Sequence, residues 1–162
     1  MTADLVSSHP LARGVSRGRP GSRRGREKLL EQSPGAGSPV CHLWASLVDV
    51  LDAIDGPTSA LLATADGEAV AVHGLARDDV ARVARQSRAA FAARADGGPD
   101  PEQAVDTVEL TMGLCHTVVA SVPTPQERHL LTVTAQGVSV QVLEAWTRRL
   151  ADDIHLALRT SA

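Results

Sequence analysis

Ser59-Ala-Leu-Leu-Ala-Thr-Ala-Asp-Gly-Glu-Ala-Val-Ala-Val-His73 decides how the rest of the chain is read. Two short apolar runs, Leu61 to Ala65 and Ala69 to Val72, flank Asp66-Gly67. Asp-Gly between such runs predicts a β-hairpin, because the turn needs a positive φ that glycine adopts without steric cost. The runs barely alternate between apolar and polar residues. They are therefore expected in the middle of a sheet and not at its rim.

Upstream of the hairpin, Leu43, Trp44, Leu47, Val48, Leu51 and Ile54 recur at three- and four-residue spacing and predict a helix from about Cys41 to Ile54. Asp55-Gly56-Pro57 supplies the residues that end it. Downstream, a second helix over 76–94 carries Asp78 and Asp79 in its first turn, where negative charge suits the helix dipole. Val80, Val83, Ala84, Ser87 and Phe91 form its sheet-facing side, and Arg82, Arg85, Ala89, Ala92 and Ala93 the outer one. Alanines let another helix approach closely while arginines reach across to carboxylates, so the outer side fits a partner helix. Both residue types are also good helix formers, so a solvated face remains an open reading.

After the loop Ala95-Asp-Gly-Gly-Pro-Asp-Pro101, three strands are expected. Val105 to Met112 alternates, with Val108, Leu110 and Met112 on one face and Thr107, Glu109 and Thr111 on the other. The polar face is expected to be open or covered by a partner. Gly113-Leu114 turns the chain into Cys115 to Val122, and His129 to Thr134 makes the next strand. Ser139 is placed to cap a last helix reaching to about Leu158 on the stripe Leu143, Trp146, Leu150, Ile154 and Leu158. The predicted order is α-β-β-α-β-β-β-α: an α/β chain of the α+β kind, a five-stranded antiparallel sheet with helices packed on it.

The 162 residues suit one domain, residues 40–160, preceded by an arm and linker over 1–39. Trp44, Phe91 and Trp146 are the only aromatic residues, so Val, Leu and Ala must build the core, with little to line a large ligand cavity. Charge is split: residues 1–40 hold seven Arg or Lys against three Asp or Glu, and the remainder nine against sixteen. The arm, centred on Arg17-Gly-Arg-Pro-Gly-Ser-Arg-Arg-Gly-Arg26, holds too little apolar surface to offset the entropy of ordering it, and is expected to be disordered. Weak binding to nucleic acid or acidic lipid, or an organellar transit signal, are its other readings. No aromatic residue is interleaved to stack on bases, so nucleic acid is not an expected partner. Ser33-Pro-Gly-Ala-Gly-Ser-Pro39 closes the arm as a linker.

Cys41 and Cys115 lie far apart and in no Cys-x-x-Cys pattern. With no signal peptide and no apolar run near eighteen residues, the expectation is a reduced, cytoplasmic protein without a membrane span. Chemistry is hard to find. No phosphate-binding glycine loop, nucleophile elbow or His-Glu-x-x-His motif occurs. Cys115 and His116 are neighbours on a strand and point to opposite faces. Asp152 and His155 are one helical turn apart, a spacing that more often gives a surface contact than a catalytic pair. His42 beside Cys41 has no further ligand at metal-binding spacing. His73 and His129, near strand ends, are expected to face solvent. No catalytic residue, cofactor or metal is expected, and the protein reads as a non-enzyme.

The order of elements, with Ala60-Leu-Leu-Ala-Thr-Ala-Asp-Gly-Glu-Ala-Val-Ala-Val72, the Val108-Glu-Leu110 strand and Leu130-Leu-Thr-Val-Thr134, resembles the roadblock (dynein light-chain) family over roughly 41–158. The Glu68-Ala69 pair after Asp-Gly departs from that family's frequent glycine or leucine, and the last helix is longer than expected. The resemblance implies a dimeric adaptor, a homo- or heterodimer whose second helices pack together and whose third strands pair into one sheet. It implies that this surface binds and regulates a small Ras-like GTPase, as a scaffold or an activator of hydrolysis. Bacterial members often stand beside a sensor kinase, and heavy use of Ala, Arg, Val and Gly suits a high-GC bacterium. On this reading Arg82, Arg85, Ala89, Ala92, Thr107, Glu109 and Thr111 belong to the dimer or partner interface, with Arg82 or Arg85 as an alternative arginine finger. A sensory ligand-binding domain of PAS or profilin-like type is the alternative. The single long helix at 76–94 and the lack of aromatics count against it.

Overall fold

A computed structural model describes residues 29–94 and 104–160. The arm upstream of Leu29, and with it the expectation of disorder there, lies outside the described residues, as does the loop 95–101. The elements run β1 (Leu29–Gln32), α1 (Cys41–Asp52), β2 (Thr58–Thr64), β3 (Ala69–Ala76), α2 (Arg77–Arg94), β4 (Asp106–Met112), β5 (Cys115–Pro123), β6 (Arg128–Gln136) and α3 (Val140–Arg159). One antiparallel sheet takes the order β1-β3-β2-β6-β5-β4. The α+β architecture is the expected one, with a sixth strand added where five were expected. That strand is β1, formed by residues read from composition as part of the arm.

The hairpin forms where Asp66-Gly67 places it, through a wider turn than two residues. The Gly67 amide donates to the Thr64 carbonyl at 2.9 Å, and Gly67 itself adopts φ +94°. Glycine therefore sits just after the turn's two central residues, where the chain needs a left-handed residue to rejoin the ladder. The register shifts beside it, between Leu62 and Ala63. The strand it opens, β2, is buried from Ala60 through Thr64 because β3 and β6 flank it and helices cover both faces.

Alternation then assigns the faces. Ala60, Leu62, Ala71, Val118, Leu131 and Val133 point to the side covered by α1 and α3, and join Trp44, Leu47, Leu51, Leu143 and Ile154 in the main core. Leu61, Ala63, Val72 and Leu75 point the other way and meet Ala84 of α2 in a smaller core. The molecule is thus three layers, with two helices on one face of the sheet and one on the other. Ser139 holds the N-cap position of α3 with extended backbone, but its side chain makes no capping hydrogen bond.

Two expectations about histidine are corrected. His73 is 6% exposed, because β1 closes over the outer edge of β3 and the end of α1 approaches from the side. His129 is likewise largely buried, and burial lowers its pKa from 6.5, an effect that nearby Glu127 partly opposes.

Candidate interaction site

Helix α2 rests on β3, β2 and β6. Beside it, over the β5–β4 end of the sheet, runs a groove of about 560 Å³. Its helical wall is Arg82, Val83, Gln86, Ala89 and Ala90, and Leu110 and Thr111 of β4 form the far wall. The floor is a cross-strand row, Ser59 opposite Thr134 and Thr134 opposite Thr117, with Thr132 one step along. The threonine hydroxyls of the floor are paired: Thr117 and Thr134 are 2.8 Å apart, and Thr132 lies 2.7 Å from Ser87, which donates to the Val83 carbonyl. A floor whose threonine hydroxyls are already paired suits the packing of a helix better than recognition of a polar ligand. The groove ends at β4, whose outer backbone edge pairs with no strand among the described residues.

The residues singled out from sequence fall into three places. Arg82 and Ala89 line the groove, and Thr111 borders it from a strand position whose side chain turns to the other face, toward His116. Arg85 and Ala92 are exposed but do not line it, so the outer side of α2 divides into a groove-facing half and a distal half. Arg82 is engaged on its own helix, with Nη2 2.5 Å and Nε 3.1 Å from Asp79 Oδ1 and Nη1 donating to Gln86. Arg85 has no ion-pair partner among the described residues.

Thr107 and Glu109 lie on the other face of the sheet, on the same side as the main core. Thr107 is 3% exposed, not open. Its hydroxyl donates to Glu144 Oε1 at 2.8 Å and accepts from Arg148 Nη2 at 2.6 Å, both on α3. The Thr107 hydrogen bond, with smaller help from Glu109 and Arg148, holds the Glu144 carboxyl below its ordinary pKa. α3 therefore covers the polar face of β4 at Thr107, where it carries the partners that offset the cost of burial, while Glu109 and Thr111 on the same face stay exposed as the alternation suggests. The half-buried Val108 and Leu110 face the α2 side.

A second polar cluster had no sequence signal beyond the single histidine. Glu31 Oε2 lies 2.7 Å from His73 Nδ1, its Oε1 accepts from the Gly74 amide at 3.1 Å, and Asp52 Oδ1 is 3.3 Å from His73 Nε2. It links β1, β3 and α1, a structural arrangement with no nucleophile in it. Cys115 lines the groove while His116 approaches Thr111 on the opposite face, so the two do not meet. His155 donates to the Pro123 carbonyl. Both cysteines are free. Among the described residues no group of three His, Cys, Asp or Glu side chains could hold a metal, and no helix is long and apolar enough to cross a membrane.

No protein-family profile matches the chain, and no curated protein is similar to it. Solved structures are. A roadblock/LC7 domain from Streptomyces avermitilis superposes with a TM-score of 0.52 at 19% identity, covering 68% of this chain and 92% of its own. The gliding protein MglB from Thermus thermophilus gives 0.55 at 14%, covering 80% and 97%. A structure described as MglB with tetrameric arrangement gives 0.53 at 14%, covering 78% and 94%. Identities this low speak for architecture alone, and from α1 to α3 the architecture follows the order read from the sequence. The chain has the roadblock/LC7 fold.

Proposed function

We propose that the protein is a non-enzymatic, dimeric adaptor that binds and regulates a small Ras-like GTPase. The observation that carries this reading is the groove beside α2, continuous with the unpaired edge of β4. A second copy could fill the groove with its own α2 and extend the sheet through its own β4, a self-complementary arrangement that closes on itself. Ala89 and Ala90 in the wall leave room for such a helix. With no nucleophile–base pair in the site, regulation would consist of holding the GTPase's switch segments in a hydrolysis-competent arrangement. Arg85 is better placed than Arg82 to act as a finger, because Arg82 is already committed to Asp79 and Gln86.

Light scattering on the full chain should give twice the monomer mass, and Ala89→Arg, which puts a long cation into the wall, should return it to the monomer. Capture from native extract, with GDP or a non-hydrolysable GTP analogue, should retain a small GTPase mainly with the analogue. Adding the protein to that purified GTPase then measures hydrolysis, with Arg85→Ala as the test of a finger. A monomeric protein that retains no GTPase under either nucleotide would overturn the reading and favour the sensory-domain alternative.

A further inference from the structure

A dimer built through β4 has several strand registers open to it. We infer that the two β4 strands join antiparallel in one of them, centred on Leu110, with Glu109 of each copy opposite Thr111 of the other. The register rests on the dimeric reading above and deepens it.

The direction of the backbone groups comes first. Met112 pairs with Cys115 across the two-residue turn Gly113-Leu114. A turn of that length closes on a pair that exchanges both its backbone hydrogen bonds. The ladder alternates from there, so Leu110 and Val108 bond to β5, whereas Thr111, Glu109 and Thr107 turn their amides and carbonyls to the outer edge. These three are not equivalent. The Thr107 amide already donates to Asp106 Oδ1 at 2.8 Å, while no partner among the described residues takes the amides of Glu109 and Thr111. Beyond Thr111 the ladder stops, because Gly113 has φ +64° and is not extended. The edge open to a further strand is therefore the segment from Glu109 to Thr111.

Two-fold symmetry then selects among registers, each named by the residue on the axis. Centred on Leu110, Glu109 meets the partner's Thr111 and Thr111 the partner's Glu109. Both pairs exchange two hydrogen bonds, and the occupied Thr107 amide is not needed. Centred on Glu109, the two Glu109 carboxylates would stand directly opposite each other, each already within hydrogen-bonding reach of a Glu144. Like charges so placed destabilise a sheet. Centred on Val108, Glu109 would face the partner's Thr107, whose amide is taken by Asp106 and whose hydroxyl is held by Glu144 and Arg148. Centred on Thr111, Glu109 would fall opposite the turn at Gly113 and lose its pair. The side chains agree with the first register. Leu110 is half-buried in the groove wall, and on the axis its Cα lies about 4.5 Å from its counterpart, so the two side chains cover each other and join the two grooves. On the other face the Thr111 hydroxyl, 3.4 Å from His116 Nδ1, accepts from the ring and donates to the partner's Glu109.

The test is disulfide cross-linking of the full chain carrying Cys41→Ser and Cys115→Ser, with Val108→Cys, Glu109→Cys, Leu110→Cys or Thr111→Cys added singly. A disulfide needs Cα atoms about 4.4–6.8 Å apart. Across a two-fold axis only the central residue meets that range, since its neighbours face their own copies along a diagonal of about 7–8 Å. Leu110→Cys should therefore cross-link under mild oxidation about tenfold more than any of the other three. Two variants of the otherwise unaltered chain keep the register testable without cysteine chemistry. Thr111→Lys, facing the partner's Glu109 on both sides of the axis, should tighten the dimer about fivefold in sedimentation, and Thr111→Glu should loosen it by about as much. Preferential cross-linking at Val108→Cys, Glu109→Cys or Thr111→Cys, or none at all in a protein that scatters light as a dimer, overturns the register and leaves the dimer standing. Equal dimer affinity in the Lys and Glu variants does the same. A monomeric wild-type protein overturns the register together with the dimeric reading.

Discussion

Thr147 of α3 is fully buried on the main-core side of the sheet, and its hydroxyl has no hydrogen-bond partner among the described residues. A buried hydroxyl left unpaired costs about 1–3 kcal/mol. Thr147→Val replaces it with a methyl of similar size, so the variant is expected to gain about 1 kcal/mol, which for a domain of this size raises Tm by about 3 °C. Calorimetry decides the matter, and a fall in Tm would mean that the hydroxyl is paired after all. The contrast is Thr107, where the same side-chain type sits between Glu144 and Arg148 with donor and acceptor capacity both used. One threonine joins a helix to the sheet, and the other only fills space. Gly74 is a third case, where the backbone sets the residue. Its φ is +67°, and a Cβ there would lie 2.5 Å from the Thr58 carbonyl oxygen. Only glycine lets β3 pass that close to β2 and still turn its amide to Glu31.

At the scale of elements, β1 is the smallest and depends most on its side chains. It has four residues, a register irregularity between Leu30 and Gln32, and Leu29 at 53% exposure. Leu30 is its contribution to the apolar packing under α2. Glu31→Ala removes the carboxylate that holds His73 and the Gly74 amide. Amide exchange at Gly74 and Leu75 is expected to accelerate about tenfold while the β5 amides keep their wild-type rates. Equal rates in variant and wild type would show that backbone pairing alone holds the strand. Such an element was illegible in the sequence. Leu29-Leu30-Glu31-Gln32 is too short to display a period and follows a run of charge, and its partner strand is some forty residues away. The hairpin and the three helices were legible because turn chemistry and apolar periodicity are local. Alternation in β4 also gave its two faces correctly, but not which of them turns to the helices. That choice was made at Thr107 by Glu144 and Arg148, far along the chain, and it leaves Leu110 beside the groove. Likewise the arginines and alanines of α2 marked an outer surface, while its division into two sides depends on how the helix lies across the sheet.

At the scale of the whole molecule, two of the described residues, of opposite charge type, make stability depend on pH. His129 has its pKa lowered by burial, so the folded state favours the neutral ring. As pH falls below about 6.5 the unfolded chain gains a proton that the fold resists, and stability declines. Glu144 has its pKa lowered chiefly by Thr107, so its contribution is present above the ordinary carboxylate value and is lost as pH falls further, through the lowered one. Denaturant melts at pH 7.5 and 5.5 are expected to show a smaller difference for His129→Gln than for the wild type. Parallel losses in the two proteins would clear His129 of the effect. The six-stranded sheet has two ends with different fates. One is β4, open beside the groove, and the other is β1, short and irregular, which hides the longer edge of β3 behind it. A fragment cut at residue 40, where composition alone suggests a boundary, would strip that cover. It would bare the β3 backbone along Val72 to Ala76 and uncover His73. Both ends of the sheet would then be templates for further strands, and such a fragment would be prone to stack into open-ended aggregates in place of a closed assembly.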